Sequence, residues 1–141
     1  MRVFVDANVI VYSRLASDRR DACIEILDAI ARGRVDGRTS TAVLEEVWHL
    51  ELTGKAGSIS GLTERAYSTF APLLAVTDEI FQRALRSDDT RLGANDRVHV
   101  ATALANDIDV IVSADASFDG VRGLRRVDPF DDRARRELLV G

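Results

Sequence analysis

The stretch Val3-Phe4-Val5-Asp6 decides how the chain folds, because a short apolar run ends directly in an aspartate. A second stretch near the other end of the chain, Val110-Ile111-Val112-Ser113-Ala114-Asp115, repeats that arrangement. Continuous apolar runs of this kind are typical of strands that are covered on both faces, as in parallel sheets. Helical patterns lie between the two runs, and strands that alternate with helices predict an α/β fold with a parallel sheet.

The length and composition predict a single globular domain. The chain has 141 residues, of which 46% are hydrophobic and 30% are charged, so we expect one domain over residues 1–141 with a core of its own. No apolar stretch approaches the roughly 20 residues that a membrane span needs, and no secretory leader pattern opens the sequence. Cys23 is the only cysteine, which excludes an internal disulfide and a cysteine-based zinc site. We therefore expect a cytoplasmic protein that does not associate with membranes.

The net charge restricts how the chain could contact nucleic acid. It carries 19 basic and 23 acidic residues, for a formal net charge of −4. Proteins that coat nucleic acid depend on bulk positive charge, because their affinity scales with the number of phosphates that they neutralise. The sequence thus argues against a coating protein, but it leaves room for an enzyme with a small local contact.

Apolar periodicity and breaker residues predict about five strands separated by helices. The segment after the last strand mixes arginines with acidic residues, and we interpret it as a solvated tail. The predicted strands are 2–5, 38–40, 73–76, 109–113 and 124–127. The predicted helices are 7–15, 21–32, 41–52, 62–70, one that Thr77 caps, and one that Asn95 caps and that extends to residue 106.

Four acidic residues are expected at one edge of this sheet. The carboxyl ends of parallel strands share an edge, which places Asp6 and Asp115 there. A helix that follows a strand begins at the same edge, and the side chain of Glu46 tilts back toward the start of its helix. Asp96 lies in the first turn of the helix before the fourth strand, so it also belongs to this edge. Each residue alone has a simpler interpretation, as a turn former or a helix-terminal charge, and only their joint position is specific.

Four carboxylates at one edge require compensation of their charge. Two like charges about 4 Å apart cost on the order of 4 kcal/mol at an effective dielectric of 20. Either some of these groups are protonated or a cation lies among them. A set of oxygen ligands with open positions suits Mg²⁺ or Mn²⁺ and not zinc. Such a site would polarise a phosphodiester and lower the pKa of a bound water.

Four segments follow one another in an order and spacing that point to a known family. They are Phe4-Val5-Asp6-Ala7-Asn8, then 39–46 (Thr-Ser-Thr-Ala-Val-Leu-Glu-Glu), then 94–103 (Ala-Asn-Asp-Arg-Val-His-Val-Ala-Thr-Ala), then 113–119 (Ser-Ala-Asp-Ala-Ser-Phe-Asp). Together they resemble the four successive motifs of PIN-domain ribonucleases, over residues 3 to about 128. The small size, with no further domain, is similar to that of VapC-type toxins of type II toxin–antitoxin pairs.

The resemblance implies a fold and an activity. The expected architecture is a three-layer α/β/α sandwich around a central parallel sheet of about five strands. The expected activity is that of an endoribonuclease that depends on Mg²⁺ or Mn²⁺ and hydrolyses RNA with metal-activated water. The resemblance also implies a homodimer and inhibition by a small cognate antitoxin protein that occupies the groove.

The resemblance also assigns residues. The catalytic acids are Asp6, Glu46, Asp96 and Asp115, and all but the glutamate are expected to bind the metal. Glu46 is chosen over its neighbour Glu45 because it is the sixth residue after Ser40. Three residues are expected to support the site: Asn8 by orienting the first aspartate, Ser113 by its hydroxyl, and Asp119 by helping the metal or by capping a turn.

Other functions remain open at this point. The chain could be an RNA-processing PIN nuclease outside a toxin pair, or a PIN-like regulatory module without catalysis. A phosphatase of the haloacid-dehalogenase type is disfavoured, because Asn8 occupies the place of its second aspartate and Lys55, the only lysine, lies in a glycine-flanked loop. We interpret His99 as a hydrogen-bonded core residue and Trp48 as part of the core, not as a platform for a base.

Overall fold

A four-stranded parallel sheet organises the fold in the computed structural model, which describes residues 1–141. The sequence predicted that the two central strands are buried. Every residue of Val3–Val5 and Val110–Val112 is less than a tenth exposed. Their register places Phe4 opposite Ile111. In chain order the strands are β1 (Arg2–Val5), β2 (Asp36–Arg38), β3 (Val110–Val112) and β4 (Arg125–Val127), and their order in the sheet is β2-β1-β3-β4.

Seven α-helices connect and cover the strands. Four of them begin at a side chain that accepts a hydrogen bond from the first turn: Asp6, Ser40, Thr77 and Asp131. The longest helix has 13 residues, and none combines the length and the apolar character needed to cross a membrane. The helices are α1 (Ala7–Tyr12), α2 (Arg20–Ala31), α3 (Thr41–Thr53), α4 (Leu62–Phe70), α5 (Asp78–Leu85), α6 (Ala94–Ala105) and α7 (Asp132–Val140), with a 3₁₀ helix at Ala116–Phe118.

The connections place helices on both faces of the sheet. The crossover through α1 and α2 leads from β1 outward to β2, whereas the crossover through α3 to α6 leads back past β1 to β3. Because such crossovers are right-handed, the two groups lie on opposite faces. The helix α7 packs against α2 and thus joins the first group. The predicted three-layer α/β/α sandwich is confirmed.

The position between β1 and β3 is the switch point of this topology. The two strands are neighbours, yet the chain leaves their carboxyl ends in opposite directions across the sheet. A crevice forms at such a point in open α/β sheets, and ligands bind there. The last residue of each strand is followed within three positions by an aspartate of the predicted set, Asp6 or Asp115.

Several element boundaries differ from the prediction. The second strand covers Asp36–Arg38 and not 38–40, because Ser40 already caps α3. The predicted strand 73–76 is reduced to one parallel bridge, in which Leu74 pairs with Ser40, because Val76 packs into a separate small cluster with Ile80. The first helix ends at Tyr12, because the hydroxyl of Ser13 donates to a backbone carbonyl of that helix. The cap of α6 is Gly93 and not Asn95, so Asp96 occupies its third position.

The prediction of a solvated C-terminal tail is wrong. Residues 132–140 form α7, whose Leu138 is buried in the main core. Arg135 is only 15% exposed, forms an ion pair with Glu25 of α2 at 3.3 Å and donates to the carbonyl of Pro129 at 2.8 Å. The aspartate that caps α7 and the apolar residues near the end of that helix indicated a helix in the sequence. The many charged residues between them favoured an exposed segment instead.

Gly37 provides a test of the packing between β2 and α2. A Cβ atom at this position would lie 2.5 Å from Cδ1 and 2.6 Å from Cγ1 of Ile30. We predict that Gly37→Ala lowers the free energy of unfolding by about 1–3 kcal/mol through overpacking. Urea denaturation of both single variants and of the double variant with Ile30→Ala measures this effect. Gly37→Ala should lower the free energy of unfolding by less in the Ile30→Ala variant than in the unmodified protein. An equal decrease in both proteins would contradict the explanation by overpacking.

Candidate metal centre

Asp6 is a buried carboxylate held in one orientation. It caps α1 directly after β1, is 5% exposed, and its Oδ1 accepts a hydrogen bond from the backbone of Ala7 at 2.8 Å. Its Oδ2 accepts hydrogen bonds from the hydroxyl of Ser113 at 2.7 Å and from the amide of Asn8 at 3.1 Å. These contacts fix the carboxylate at the switch point between β1 and β3.

Ser113 and Asn8 join the ends of the two central strands. The amide of Asn8 donates to the hydroxyl oxygen of Ser113 at 3.1 Å, and its carbonyl accepts from the backbone of Ala114 at 3.1 Å. The same hydroxyl oxygen accepts from the backbone N–H of Asp115 at 3.0 Å. Both residues therefore contact the acids of the predicted set directly.

Glu46 lies in the site, and its neighbour Glu45 does not. Glu45 is exposed, whereas the side chain of Glu46 is 32% exposed and its Oε1 is 2.9 Å from Nε2 of His99. The ligand atoms of Asp6, Glu46 and His99 all lie within 4.8 Å of one another. The second turn of α3 thus brings a long side chain back to the edge of the sheet.

His99 is the member of the site that the sequence analysis missed. It is 1% exposed on α6, one turn after Asp96, and its Nδ1 is buried without a hydrogen-bond partner. Burial lowers the pKa of His99, but the hydrogen bond to Glu46 and the charge of Asp6 outweigh it and raise the pKa above its ordinary value. The spacing of His99 from Asp96, one helical turn, indicated that both side chains face the site. We gave this little weight because a single histidine in a buried helix is usually a hydrogen-bonded core residue.

The imidazole of His99 acts as a hydrogen-bond donor to the carboxylates. The closest groups to Nε2 are acceptors, Glu46 at 2.9 Å and Asp6 at 4.0 Å, so this nitrogen carries a proton. A metal-binding histidine usually donates its other N–H to a partner, and Nδ1 of His99 has none. The geometry favours a donor that orients Glu46 over a metal ligand.

Asp96 carries the electrostatic evidence that the acids converge. Burial raises its pKa to about 6, and the charges of Asp6, Asp115 and Glu46 each contribute to that increase. The pKa of Asp6 is also raised, chiefly by burial. The acids after β1, on α3 and after β3 are therefore near enough to act on Asp96 of α6, whereas only Asp6, Glu46 and His99 have ligand atoms within 4.8 Å of one another.

Asp115 and Asp119 differ in their surroundings. Asp115 is exposed at the rim, and its Oδ1 accepts hydrogen bonds from the backbone and the hydroxyl of Ser117, at 2.9 and 2.7 Å. Asp119 gives both of its carboxylate oxygens to the guanidinium of Arg126, at 2.8 and 3.1 Å. That pairing lowers the pKa of Asp119. The structure thus leaves Asp119 engaged elsewhere.

The donor set fits a divalent cation that prefers oxygen. No lysine or arginine forms an ion pair with Asp6, Glu46, Asp96 or Asp115, and His99 is the only basic group in contact with any of them. Burial and, for Asp96, the neighbouring carboxylates raise the pKa of two of the acids, so the protein by itself disfavours their charged forms. A hard cation such as Mg²⁺ or Mn²⁺ would favour those charged forms.

The interpretation of Trp48 as a core residue is wrong. Its side chain is 54% exposed on α3, next to Leu52 at 72% and across from Tyr67 of α4 at 54%. These residues line a surface groove between α3 and α4. The helix has apolar residues on two faces, and only one of them can face the sheet, so the periodicity did not distinguish the core face from the groove.

Comparison with known proteins identifies the domain. The family model described as the PIN domain matches residues 3–124. Comparison with curated proteins gives no match.

Several solved structures share the fold. VapBC2 from Rickettsia felis, bound to a DNA fragment from its promoter, aligns with a TM-score of 0.68 and 17% identity, over 89% of this chain and 97% of that chain. VapC20 from Mycobacterium tuberculosis, a toxin that cleaves the sarcin–ricin loop, aligns with a TM-score of 0.60 and 19% identity, over 84% of this chain and 91% of that chain. FitAcB from Neisseria gonorrhoeae aligns with a TM-score of 0.64 and 16% identity, over 92% of this chain and 99% of that chain. At these identities the likeness concerns the fold.

Replacement of Asp96 tests whether the acids repel one another. A carboxyl whose pKa is raised to about 6 in the folded protein stabilises the fold below its ordinary pKa of 3.8, and this contribution is lost as the pH rises through about 6. We predict that, in EDTA at pH 7, Asp96→Asn melts at a higher temperature than the unmodified protein, and that the difference disappears below about pH 4.

The matched control is Asp21→Asn in the first turn of α2, where the side chain is 93% exposed. That variant loses the interaction of a charge with the helix terminus and an exposed contact with Arg20 at 4.0 Å, so its melting temperature should fall slightly at pH 7. A lower melting temperature for Asp96→Asn at pH 7 would contradict the convergence of the acids.

Proposed function

Because this chain belongs to the PIN-domain family, we propose that it is a metal-dependent endoribonuclease acting in the cytoplasm. The observation that carries the proposal is the cluster of Asp6, Glu46 and His99, whose ligand atoms lie within 4.8 Å of one another, with the charges of Asp96 and Asp115 nearby. The four motifs of the sequence analysis supply these acids, and we infer that they share one negative pocket at the switch point of the sheet. Such a pocket would attract a phosphodiester only with a cation bound in it.

The chain's own residues would divide the work as follows. Asp6, Asp96 and Asp115 hold Mg²⁺ or Mn²⁺, directly or through water, and Asn8 and Ser113 keep the first of these carboxylates in place. When bound, the ion supplies Lewis acidity toward the phosphodiester and lowers the pKa of water. The reaction needs no covalent intermediate on the protein, because hydrolysis by water accounts for the products.

Glu46 would orient water at the rim. Its Oε1 is occupied by the N–H of His99, so Oε2 is left for a water molecule or for the ion's hydration shell. The donor also keeps the carboxylate from rotating toward solvent, since His99 is fixed in the interior of α6. In this role His99 is a positioning residue for Glu46.

We propose further that the protein is the toxin of a type II toxin–antitoxin pair, and that the groove between α3 and α4 receives the antitoxin. The groove presents Trp48, Leu52 and Tyr67, and its charged lining consists of Glu45, Glu51 and Glu64. An amphipathic helix with apolar and basic residues is complementary to such a groove. The similarity of the fold to the VapBC2 and FitAcB structures supports this assignment.

A second apolar surface supports the proposal of a homodimer. Phe81 and Leu85 lie one turn apart on α5 and are 50% and 70% exposed. Arg83 and Arg86 flank them on the same helix together with Asp78 and Glu79, so both signs of charge surround the apolar pair. In a two-fold interface the same patch of both copies meets, so a patch with apolar residues and both signs of charge can complement itself.

Two other functions are separated from this proposal by experiment. An RNA-processing nuclease would cleave RNA but would have no antitoxin partner. A regulatory module without catalysis would neither bind Mg²⁺ or Mn²⁺ nor cleave RNA. The presence of all four acids favours an enzyme over the module.

Replacement of Asp6 tests the metal-dependent reaction. We predict that Asp6→Asn abolishes RNA cleavage in Mn²⁺ and the increase in melting temperature that Mn²⁺ causes in the unmodified protein, because an amide of nearly the same size replaces the buried carboxylate ligand. Gel assays of a total RNA pool and thermal melts with Mn²⁺ or EDTA measure both effects. Full cleavage by Asp6→Asn, or cleavage in excess EDTA, would overturn the mechanism; Glu45→Gln is the control that should keep activity.

Replacement of Trp48 tests the partner groove. The proposal expects a short reading frame adjacent to the gene of this protein, and the product of that reading frame is the candidate antitoxin. We predict that Trp48→Ala weakens binding of that product by about 2 kcal/mol or more, as expected for a central aromatic residue. Calorimetric titration measures the affinity, with Phe81→Ala on α5 as the control. Equal affinities of both variants and the unmodified protein would contradict docking in this groove.

A further inference from the structure

Arg126 of β4 is a largely buried arginine beside the candidate centre. Its side chain is 12% exposed, and all of its guanidinium nitrogens have partners. Nε and Nη2 donate to the two carboxylate oxygens of Asp119, at 2.8 and 3.1 Å, and Nη1 donates to the backbone carbonyl of Ser113 at 3.0 Å. A second acid, Asp128, lies 3.8 Å from Nη1.

These contacts hold both ends of one segment. Ser113 follows the last residue of β3, and Asp119 follows the last residue of the 3₁₀ helix. Asp115 lies between them, and its only side-chain contacts within the segment are with Ser117. One guanidinium therefore spans the segment that carries an exposed member of the acidic set.

The same segment is tied to the loop before α6. Nη1 of Arg91 donates to the backbone carbonyl of Asp119 at 2.7 Å, and the other nitrogens of Arg91 bind both oxygens of Asp89. That loop leads into the first turn of α6, where Asp96 lies. Asp119 thus connects the two parts of the chain that supply Asp115 and Asp96.

We propose that Arg126 is a positioning residue of the metal centre, which acts through the segment 113–119 to set the position of Asp115 relative to Asp6. In this arrangement Asp119 is the partner of Arg126 and not a metal ligand. The inference rests on the proposed function only in that it takes Asp115 and Asp6 as metal ligands. It assigns a role to a residue that lies outside the four acidic motifs.

The planar fork of arginine is required for this role. Two parallel donors match the two oxygens of Asp119, and a third nitrogen reaches the carbonyl of Ser113. A lysine at this position would carry the same charge but would hold only one of these groups at a time. The comparison of Arg126→Lys with Arg126→Gln therefore separates positioning from charge.

Titration of MnCl₂ into the whole protein, followed by calorimetry, measures the effect without reference to cleavage. We expect Arg126→Gln and Arg126→Lys to weaken Mn²⁺ binding by similar factors of about 10, as is usual for residues that orient a metal ligand. Arg125→Gln is the matched control, because Arg125 precedes Arg126 on β4 and is exposed, with only a weak contact to the sulfur of Met1. Unchanged Mn²⁺ affinity in folded Arg126→Gln would overturn the proposal.

A double-variant cycle with Asp115→Asn distinguishes positioning from a general loss of structure. If Arg126 acts through Asp115, Arg126→Gln has little further effect on Mn²⁺ affinity once Asp115 is replaced, whereas general loosening would weaken binding in both backgrounds. Asp119→Asn provides a second variant that leaves Arg126 in place. We expect it to weaken Mn²⁺ binding in the unmodified protein and to add nothing to Arg126→Gln.

A further loss on adding Asp119→Asn to Arg126→Gln would instead make Asp119 a ligand and overturn its assigned role. Failure of this inference differs from failure of the proposed function. In the first case the unmodified protein binds Mn²⁺ and cleaves RNA, but Arg126→Gln binds Mn²⁺ equally well. In the second case the unmodified protein binds no Mn²⁺, and the inference fails with it.

Discussion

Burial of the Asp6 carboxylate is the constraint around which the rest of the centre is arranged. A charged group removed from water needs hydrogen bonds or a counter-charge, and the protein supplies Asn8, Ser113 and one backbone N–H. These donors come from the ends of β1 and β3, so satisfying the carboxylate also joins the two central strands. The pKa of Asp6 remains raised, because burial outweighs these donors. A divalent cation bound beside Asp6 would favour the charged carboxylate, and an oxygen ligand of this kind suits a hard ion.

Much of this arrangement could be predicted from the sequence, because it follows from chain direction. The apolar runs before Asp6 and Asp115 predicted parallel strands, and parallel strands share an edge. The same rule placed Asp96 at that edge, since helices that precede a strand begin there. The choice of Glu46 over Glu45 agrees with the observed positions, in which only Glu46 contacts His99. Predictions of this kind need topology and no side-chain detail.

The features that the sequence analysis missed depend on contacts between distant side chains. The donor role of His99 requires that α3 and α6 pack so that Glu46 faces it, which no local pattern encodes. Trp48 belongs to one of two apolar faces on α3, and only the neighbouring helix decides which face is covered. The terminal helix α7 is stabilised by Leu138 in the core and by the ion pair of Arg135 with Glu25, whereas its local composition is that of an exposed segment.

The hydrogen bond between the hydroxyl of Ser113 and Asp6 joins residues 107 positions apart, and it has a consequence during protein synthesis. A ribosome must complete β3 and the segment after it before Asp6 acquires its second partner strand and Asp115. A nascent chain that ends before Asp115 contains the first acid of the proposed set without the last. For the proposed nuclease, this order of assembly means that such a chain is inactive while the ribosome is still making it.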